Sequence, residues 1–431
     1  MSVQLSVALK VAAPIWEKMY FNGLSLERAM SNDLSGELKG AVQSVLYCAL
    51  RQRAKCDIVL PKLVSKKPTA TVHSLLSIAL GLLINAEEKD FVVVDQTVRA
   101  AKANPKTIKA AGFINAVLRN FLRNRGQLTR GFQTNLCARF NAPAWWIQKV
   151  RQSFPLQWES ILQTQTLRPP LTLRVNVRKI RVDDYVKMLE DAGLSVQVVG
   201  EKALIIDPPR PVEEIPGFNQ GLCSVQDAGS QLISQFLALD KHAKVLDACA
   251  APGGKTAELL ESVDLDVTAM EIDPHRARRI KDTLNRLQLK AKVIVGDGAD
   301  NQLLNSLGFF DAILLDAPCT ASGIVRRHPD IVWSRRPEDI TQLASQQARL
   351  LNALWAILPK GKALLYVVCS IFPEEGPEQI KNFLDRHPDA SLKCLPGLNE
   401  SMLRLIPTEH ETAPGLPKVH DGFFYALLTK V

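Results

Sequence analysis

The 431-residue sequence predicts an α/β chain whose C-terminal part is a doubly wound, mostly parallel sheet. Three observations carry that expectation. From residue 220 onward, apolar strand-like runs alternate with amphipathic helical runs, the order that βαβ units produce. Several of those runs end on an acid or a thiol, as strands do when they deliver polar groups to the carboxyl edge of a sheet. The chain is also too long for one ordinary core, so further domains are expected ahead of the sheet.

Residues 1–135 read as helices, with no alternating strand. In the run 114–126, Ile114, Val117, Leu118, Phe121 and Leu122 follow the i, i+3, i+4, i+7, i+8 rule, and Gly126 is a natural stop. Arg119 and Arg123 fall one turn apart on the outer flank. Arg51, Arg53, Lys55, Lys62, Lys66 and Lys67 form a second basic cluster. The net charge of +9 is unevenly placed: residues 1–150 hold 21 Lys and Arg against 9 Asp and Glu, whereas the remainder holds 32 against 35. A balance of +12 followed by one of −3 favours a separate polyanion-binding module over a merely solvated basic surface.

Residues 140–215 form a small α+β unit. Residues 170–175 alternate as a strand, a helix spans 182–192, and strands follow at 195–199 and 204–206. Asp207-Pro208-Pro209-Arg210 reads as a Pro-rich linker, because proline runs terminate elements. In the third region, 220–431, strands are expected at 243–247, 267–271, 292–296, 311–316, 362–369 and 422–429. Helices are expected near 255–263, 274–288, 338–358 and 374–386.

Composition narrows the class. Apolar content of 46% and charged content of 23% are those of a globular chain. The longest uncharged stretch, 75–86, falls short of the roughly 20 apolar residues a membrane span needs and reads as a core helix. Lys10 and Glu17 interrupt the N-terminal apolar pattern, which argues against a signal peptide, so a cytoplasmic location is expected. The eight cysteines include no C-x-x-C spacing and form no ligand-spaced cluster with the seven histidines, so no metal site is expected.

The chemistry-bearing residues sit at the ends of the expected strands. The run 245–247 leads into Ala248-Cys249-Ala250-Ala251-Pro252-Gly253-Gly254-Lys255-Thr256, where two glycines let the backbone approach a ligand and the amides opening a helix would face it. Glu271 ends the second strand, where an acid binds ribose hydroxyls in such folds. Asp297 ends the third, where a carboxylate can take an adenine amino group, and Asp316 ends the fourth. Cys319 closes the run 313–319 and Cys369 closes 363–369, so a nucleotide-type cofactor and two thiols would meet on one sheet edge.

These segments resemble a known family. Asp247-Ala-Cys-Ala-Ala-Pro-Gly-Gly-Lys-Thr256, Asp316-Ala-Pro-Cys-Thr-Ala-Ser-Gly323 and Tyr366-Val-Val-Cys-Ser370 resemble the cofactor, P-C and T-C-S motifs of RNA cytosine-5 methyltransferases. Asp421-Gly-Phe-Phe-Tyr-Ala426 also matches, and the basic helical N-terminus resembles a NusB-like RNA-binding domain. The chain is thus similar to the small-subunit rRNA branch of that family over nearly its whole length. It departs at Val368, where Thr is common, and at Glu271, where Asp is common.

The resemblance implies a Rossmann-like methyltransferase domain and S-adenosylmethionine as methyl donor, held by Cys249, Ala250, Ala251, Pro252, Gly253, Gly254, Lys255, Glu271, Asp297 and Asp316. It further implies Cys369 as the nucleophile toward cytosine C6 and Cys319 as the group assisting release. Asp316 would hold the base and Lys255 would help order the site. The substrate it implies is 16S rRNA, naked or in an early assembly intermediate, with no obligate protein partner. Cys249 reads as packing rather than chemistry. Arg326, Arg327, His328, Arg335 and Arg336 follow Cys319 closely and are candidates to clamp phosphates beside a flipped cytosine, while Trp333 reads equally as a stacking or a core residue. Two alternatives stay open: the same chemistry on tRNA, and an RNA-binding transcription or assembly factor with a degenerate methyltransferase domain.

Overall fold

The computed structural model describes residues 3–30, 34, 36–408 and 415–431. The chain divides into two compact units. One comprises Met1–Leu167 with Val325–Pro337, and the other Arg168–Ile324 with Glu338–Val431.

The first unit is helical. The uncharged stretch becomes its central helix, Ala70–Asn85, which buries residues on every side. It crosses the helix Gly36–Leu50 so closely that a Cβ on Gly81 would lie 2.7 Å from Ala49 Cα, so only glycine permits that approach. Its serines do not break the core, because the Ser74 hydroxyl bonds back to the Ala70 carbonyl at 2.8 Å. The helix Ala111–Leu128 buries Ile114, Val117, Leu118 and Phe121 as its periodicity demands, leaving Arg119 and Arg123 exposed. It passes the expected stop at Gly126 and instead carries a non-helical residue at Asn124, whose amide bonds to the Asn120 carbonyl.

The segment Val325–Pro337 lies far along the chain yet belongs to this helical unit. The Leu26 amide donates to Asp330 Oδ2 at 2.9 Å, and Arg51 donates to the Arg326 carbonyl at 2.8 Å. The Arg53 guanidinium lies 4.5 Å from the ring centroids of both Tyr20 and Trp333. Trp333 thus packs against the helical core, and Arg326 is buried rather than displayed.

The second unit holds two sheets. The smaller is antiparallel, in the order β2-β3-β1-β4, from β1 (Leu171–Val175), β2 (Ser195–Val198), β3 (Ala203–Asp207) and β4 (Cys223–Val225), with the helix Val182–Asp191 packed on it. The larger sheet has the order β10-β12-β9-β8-β5-β6-β7, and β11 also pairs with β12. Its strands are β5 (Lys244–Ala248), β6 (Asp266–Glu271), β7 (Lys292–Val295), β8 (Ala312–Asp316), β9 (Ala363–Val368), β10 (Ala390–Lys393), β11 (Met402–Leu405) and β12 (Phe423–Lys430). β5 to β9 are parallel, and β12 enters antiparallel to β9.

Both faces are covered, which is why these strands read as continuous apolar runs. On β8, Leu314 points to one core, whereas Ile313 and Leu315 point to the other. The expected helix 374–386 is split into a short turn, Pro373–Glu375, and the helix Pro377–Leu384. Gly376, at φ −116° and ψ −108°, breaks the helical path between them. β10 and β11 were not expected from sequence.

Candidate active site

The chain runs from β5 outward to β7 and then crosses back to β8, so the strand order reverses between β5 and β8. In a doubly wound sheet, ligands bind beyond the carboxyl ends of the strands at that reversal. The candidate residues converge there.

β5 leads through Cys249 to Gly253 and the helix Gly254–Ser262. Gly253 has φ +96°, and a Cβ would come within 3.1 Å of Ile280 Cα, so glycine is required both for the turn and for the packing. The first amides of the helix have no partner within it and open toward the sheet edge. Asp247 is fully buried; its Oδ2 accepts the Thr256 hydroxyl, its Oδ1 accepts no hydrogen bond among the described residues, and burial pushes its carboxyl up to about 7. Burial also pushes the Cys249 thiol up to about 12, with Asp316, Glu271 and Asp247 adding to it.

Glu271 ends β6 with 2% exposure. Its Oε1 accepts the Asp273 amide at 3.1 Å; its buried Oε2, 3.5 Å from the Arg276 guanidinium, accepts no hydrogen bond. Asp297, just beyond β7, is engaged on both oxygens: the Ala299 amide donates at 2.9 Å and Arg349 at 2.9 Å. Burial works to raise its carboxyl, but those two donors prevail and hold it below the usual carboxylate range.

Asp316, at the end of β8, accepts a hydrogen bond from Lys255 Nζ at 2.8 Å. Burial opposes the charge on Lys255, but the Asp316 carboxylate outweighs it, and the Cys369 sulfur pulls the same way, so the ammonium is held above its usual range. The Cys319 and Cys369 sulfurs stand 3.4 Å apart. Cys319 is nearly buried and Cys369 partly exposed. The hydrogen bond with Cys369, then burial, push the Cys319 thiol well above its ordinary range.

Two buried charges near the site were missed from sequence. Arg174 on β1, read there as one position of an alternating strand, is fully buried. It forms a two-pronged pair with Glu261, at 2.8 and 2.9 Å, and donates to the Gly254 carbonyl at 2.7 Å. The small sheet thereby holds the helix that opens at the glycine loop. Glu375, read as part of a helix, is also fully buried and accepts hydrogen bonds from Thr320, Ser370 and Gln347. Its signal is Ser370-Ile371-Phe372-Pro373-Glu374-Glu375, a proline turn that folds an acid back toward the thiol strand.

The family described as 16S rRNA methyltransferase RsmB/F matches residues 234–429, the ferredoxin-like domain of RsmF/B-like methyltransferases matches 142–213, and the NusB family matches 6–123. Ribosomal RNA small subunit methyltransferase B of Citrobacter koseri is 37% identical over 429 residues, covering 97% of this chain and 98% of that protein. The chain belongs to the RsmB/F methyltransferase family. The protein of the same name from Cronobacter sakazakii is 36% identical over the same shares of both chains. A solved structure, a methyltransferase homolog protein from Pyrococcus horikoshii, covers 68% of this chain and 97% of its own at 28% identity, with a TM-score of 0.57. The expected fold therefore stands: a NusB-like N-terminal domain, a ferredoxin-like domain and a Rossmann-like methyltransferase domain.

S-adenosylmethionine is the methyl donor of this family, and the residues present fit it. Glu271 Oε2 is a buried acceptor that takes no hydrogen bond among the described residues, suited to a ribose hydroxyl. No group of His, Cys, Asp and Glu that could hold a metal ion occurs among the described residues. None of the described helices is long and apolar enough to cross a membrane.

Proposed function

We propose that this protein methylates C5 of a cytosine in 16S rRNA, with Cys369 as covalent nucleophile and Cys319 as the group that assists release. The observation that carries the reading is the pair of sulfurs 3.4 Å apart on the sheet edge that also bears the Lys255–Asp316 ion pair. The names of the relatives favour small-subunit rRNA over tRNA as substrate.

Cytosine C5 is too weakly nucleophilic to take a methyl group unaided. Addition of Cys369 Sγ to C6 makes C5 electron-rich. S-adenosylmethionine supplies the methyl as an electrophile on a sulfonium sulfur, and the loop Cys249–Lys255, Glu271, Asp297 and Asp316 are the residues that would hold it. The oxygens of Asp297 keep second lone pairs for an adenine amino group despite Arg349. Asp316, fixed by Lys255, would accept from the N4 amino group on the N3/N4 edge of the base.

The two thiols differ in a way that supports the division of roles. The Cys319 thiol is held above its ordinary range by its hydrogen bond with Cys369 and by burial, while Cys369 is the more exposed of the two. Cys369 gives its proton to solvent as it attacks, and bond formation there removes the hydrogen bond that is the largest influence holding the Cys319 thiol up. Cys319 then gives its proton to solvent and, as thiolate, takes the C5 proton. The C6–S bond breaks, and its electron pair returns to Cys369. In this reading, residues 1–135 supply RNA contacts, 140–215 link, and 220–431 carry the chemistry. Exposed Arg119, Arg123, Lys102, Lys106 and Lys109 of the helical unit would meet phosphates.

The test is transfer of labelled methyl to deproteinised 16S rRNA and to immature subunits from a strain lacking the gene, with the modified base mapped by nuclease digestion and mass spectrometry. A single 5-methylcytosine is expected. Methylation of another atom would overturn the two-thiol reading, and transfer to tRNA alone would overturn the substrate. No transfer at all would favour an RNA-binding factor.

A further inference from the structure

A carboxylate is buried beneath the two thiols, and it bonds to the residue that follows each of them. Glu375 Oε1 accepts the Thr320 amide at 2.8 Å and Gln347 Nε2 at 3.1 Å. Its Oε2 accepts the hydroxyls of Thr320 and Ser370, each at 2.5 Å. Thr320 follows Cys319 and Ser370 follows Cys369. We propose that Glu375 is a positioning residue that locks the two cysteine-bearing turns together and so sets the separation of the reacting sulfurs. The proposal rests on the reading of Cys319 and Cys369 as the reacting pair.

The surrounding bonds run the same way. Gln347 also donates to the Pro318 carbonyl at 2.9 Å, so Glu375 and Gln347 together hold both neighbours of Cys319. On the other turn, the Ser370 hydroxyl accepts the Phe372 amide at 3.1 Å and lies 2.9 Å from the Ser322 hydroxyl, which accepts the Ile371 amide at 3.0 Å. The Tyr366 hydroxyl donates to the Glu375 carbonyl at 2.8 Å and fixes the acid's own backbone.

Four donors converge on this one side chain, and only a carboxylate accepts from all four. A charge without solvent contact is costly unless fully hydrogen-bonded, and here it is. Burial holds the Glu375 carboxyl above its usual range, and the hydrogen bonds from Ser370, Thr320 and Gln347 oppose that rise. A loop that needed only to stay folded would be served by neutral bonds within each turn. A single anion shared by both turns couples their positions, which is what two thiols acting in sequence on one base require.

The conservative variant is Glu375→Gln, which keeps the volume but presents two donors where the hydroxyls now donate. The Thr320 and Ser370 hydroxyls then lose the shared acceptor of their protons, which loosens both turns. The expected result is a fall in kcat of about 10–100-fold, the scale on which small misplacements act, with the KM for S-adenosylmethionine and the affinity for RNA unchanged. A second readout needs no methyl transfer. Diamide oxidises the two thiols to a disulfide: each thiol loses its hydrogen, and the two electrons and two protons reduce the reagent's N=N bond. The rate, followed by mass spectrometry of the linked peptide, reports how often the sulfurs meet, and Glu375→Gln should slow it several-fold.

Wild-type kcat with wild-type oxidation would overturn the proposal, and so would a loss of kcat with unchanged oxidation. Should Glu375→Gln fail to fold, Thr320→Val removes one of the four bonds and is expected to shift both readouts in the same direction by less; no shift there overturns the proposal. Slowed oxidation in the variant of a protein that methylates no cytosine C5 would leave the positioning role standing and remove the proposed reaction.

Discussion

Cys319 Sγ and Cys369 Sγ stand 3.4 Å apart, a hydrogen-bonding separation for sulfur, just beyond the ends of the neighbouring parallel strands β8 and β9. Neither thiol needs to move far for one to succeed the other on the same base. Cys319→Ala should therefore keep attachment and lose release, accumulating a covalent RNA adduct visible on a denaturing gel. Cys369→Ala should give neither adduct nor methyl transfer. Normal turnover by both variants would rule out the two-thiol mechanism.

Glu271 offers a buried oxygen that accepts no hydrogen bond among the described residues. Glu271→Gln removes its charge and half of its acceptor capacity. A charge-assisted hydrogen bond contributes about 1.5–3 kcal/mol, so the dissociation constant for S-adenosylmethionine should rise by about 10–100-fold by titration calorimetry. The rate at saturating cofactor should change much less, because Glu271 is not assigned to the reacting atoms. An unchanged dissociation constant would remove Glu271 from the cofactor site.

Asp247 makes stability depend on pH. Its carboxyl lies near 7 in the folded protein and at 3.8 in the unfolded chain, so the folded state holds the extra proton between those values. Its contribution is fully present below 3.8 and is lost as pH rises through about 7. Asp247→Asn mimics the protonated form and still accepts from Thr256. The variant should match wild type near pH 4 and exceed it by about 1–3 kcal/mol at pH 8 in denaturant melts without cofactor. A constant difference across that range would show that Asp247 does not titrate on folding.

The basic flank of the helix Ala111–Leu128 can be tested through salt. Arg119→Ala combined with Arg123→Ala leaves the buried face of the helix untouched. Counterion release gives a slope of about 0.7–0.9 per phosphate neutralised, so the pair should flatten the logarithmic salt dependence of RNA binding by roughly 1–2. An unchanged slope would assign the basic flank no contact with RNA.

Much of the catalytic sheet was legible because strands buried on both faces are long apolar runs, and β5 to β9 and β12 all have that form. The glycine loop and the acids at strand ends were legible because turn chemistry and strand termination are local. What escaped depended on long-range placement. β10 buries none of its four residues fully and shows no alternation, and β11, although it alternates, is only four residues long. Arg174 and Glu375 are charged residues that ordinary reasoning puts in water; each is buried because its partners arrive from distant segments. The segment Val325–Pro337, which carries the arginines that follow Cys319, departs from the second unit to join the helical one, a grouping that adjacency in sequence does not reveal.

That departure has a consequence for how the protein is made. The helical unit is not finished when its first 167 residues have been synthesised, because Asp330 and Trp333 must still arrive to meet Leu26 and Arg53. At about 5–20 residues per second, the ribosome needs roughly 10–30 s more to supply them. During that interval the chain emerging behind is most of the catalytic unit, itself split by the same excursion. Neither unit can therefore be cut out by a single truncation. A nascent chain stalled before residue 337 would present a helical unit still missing one of its parts.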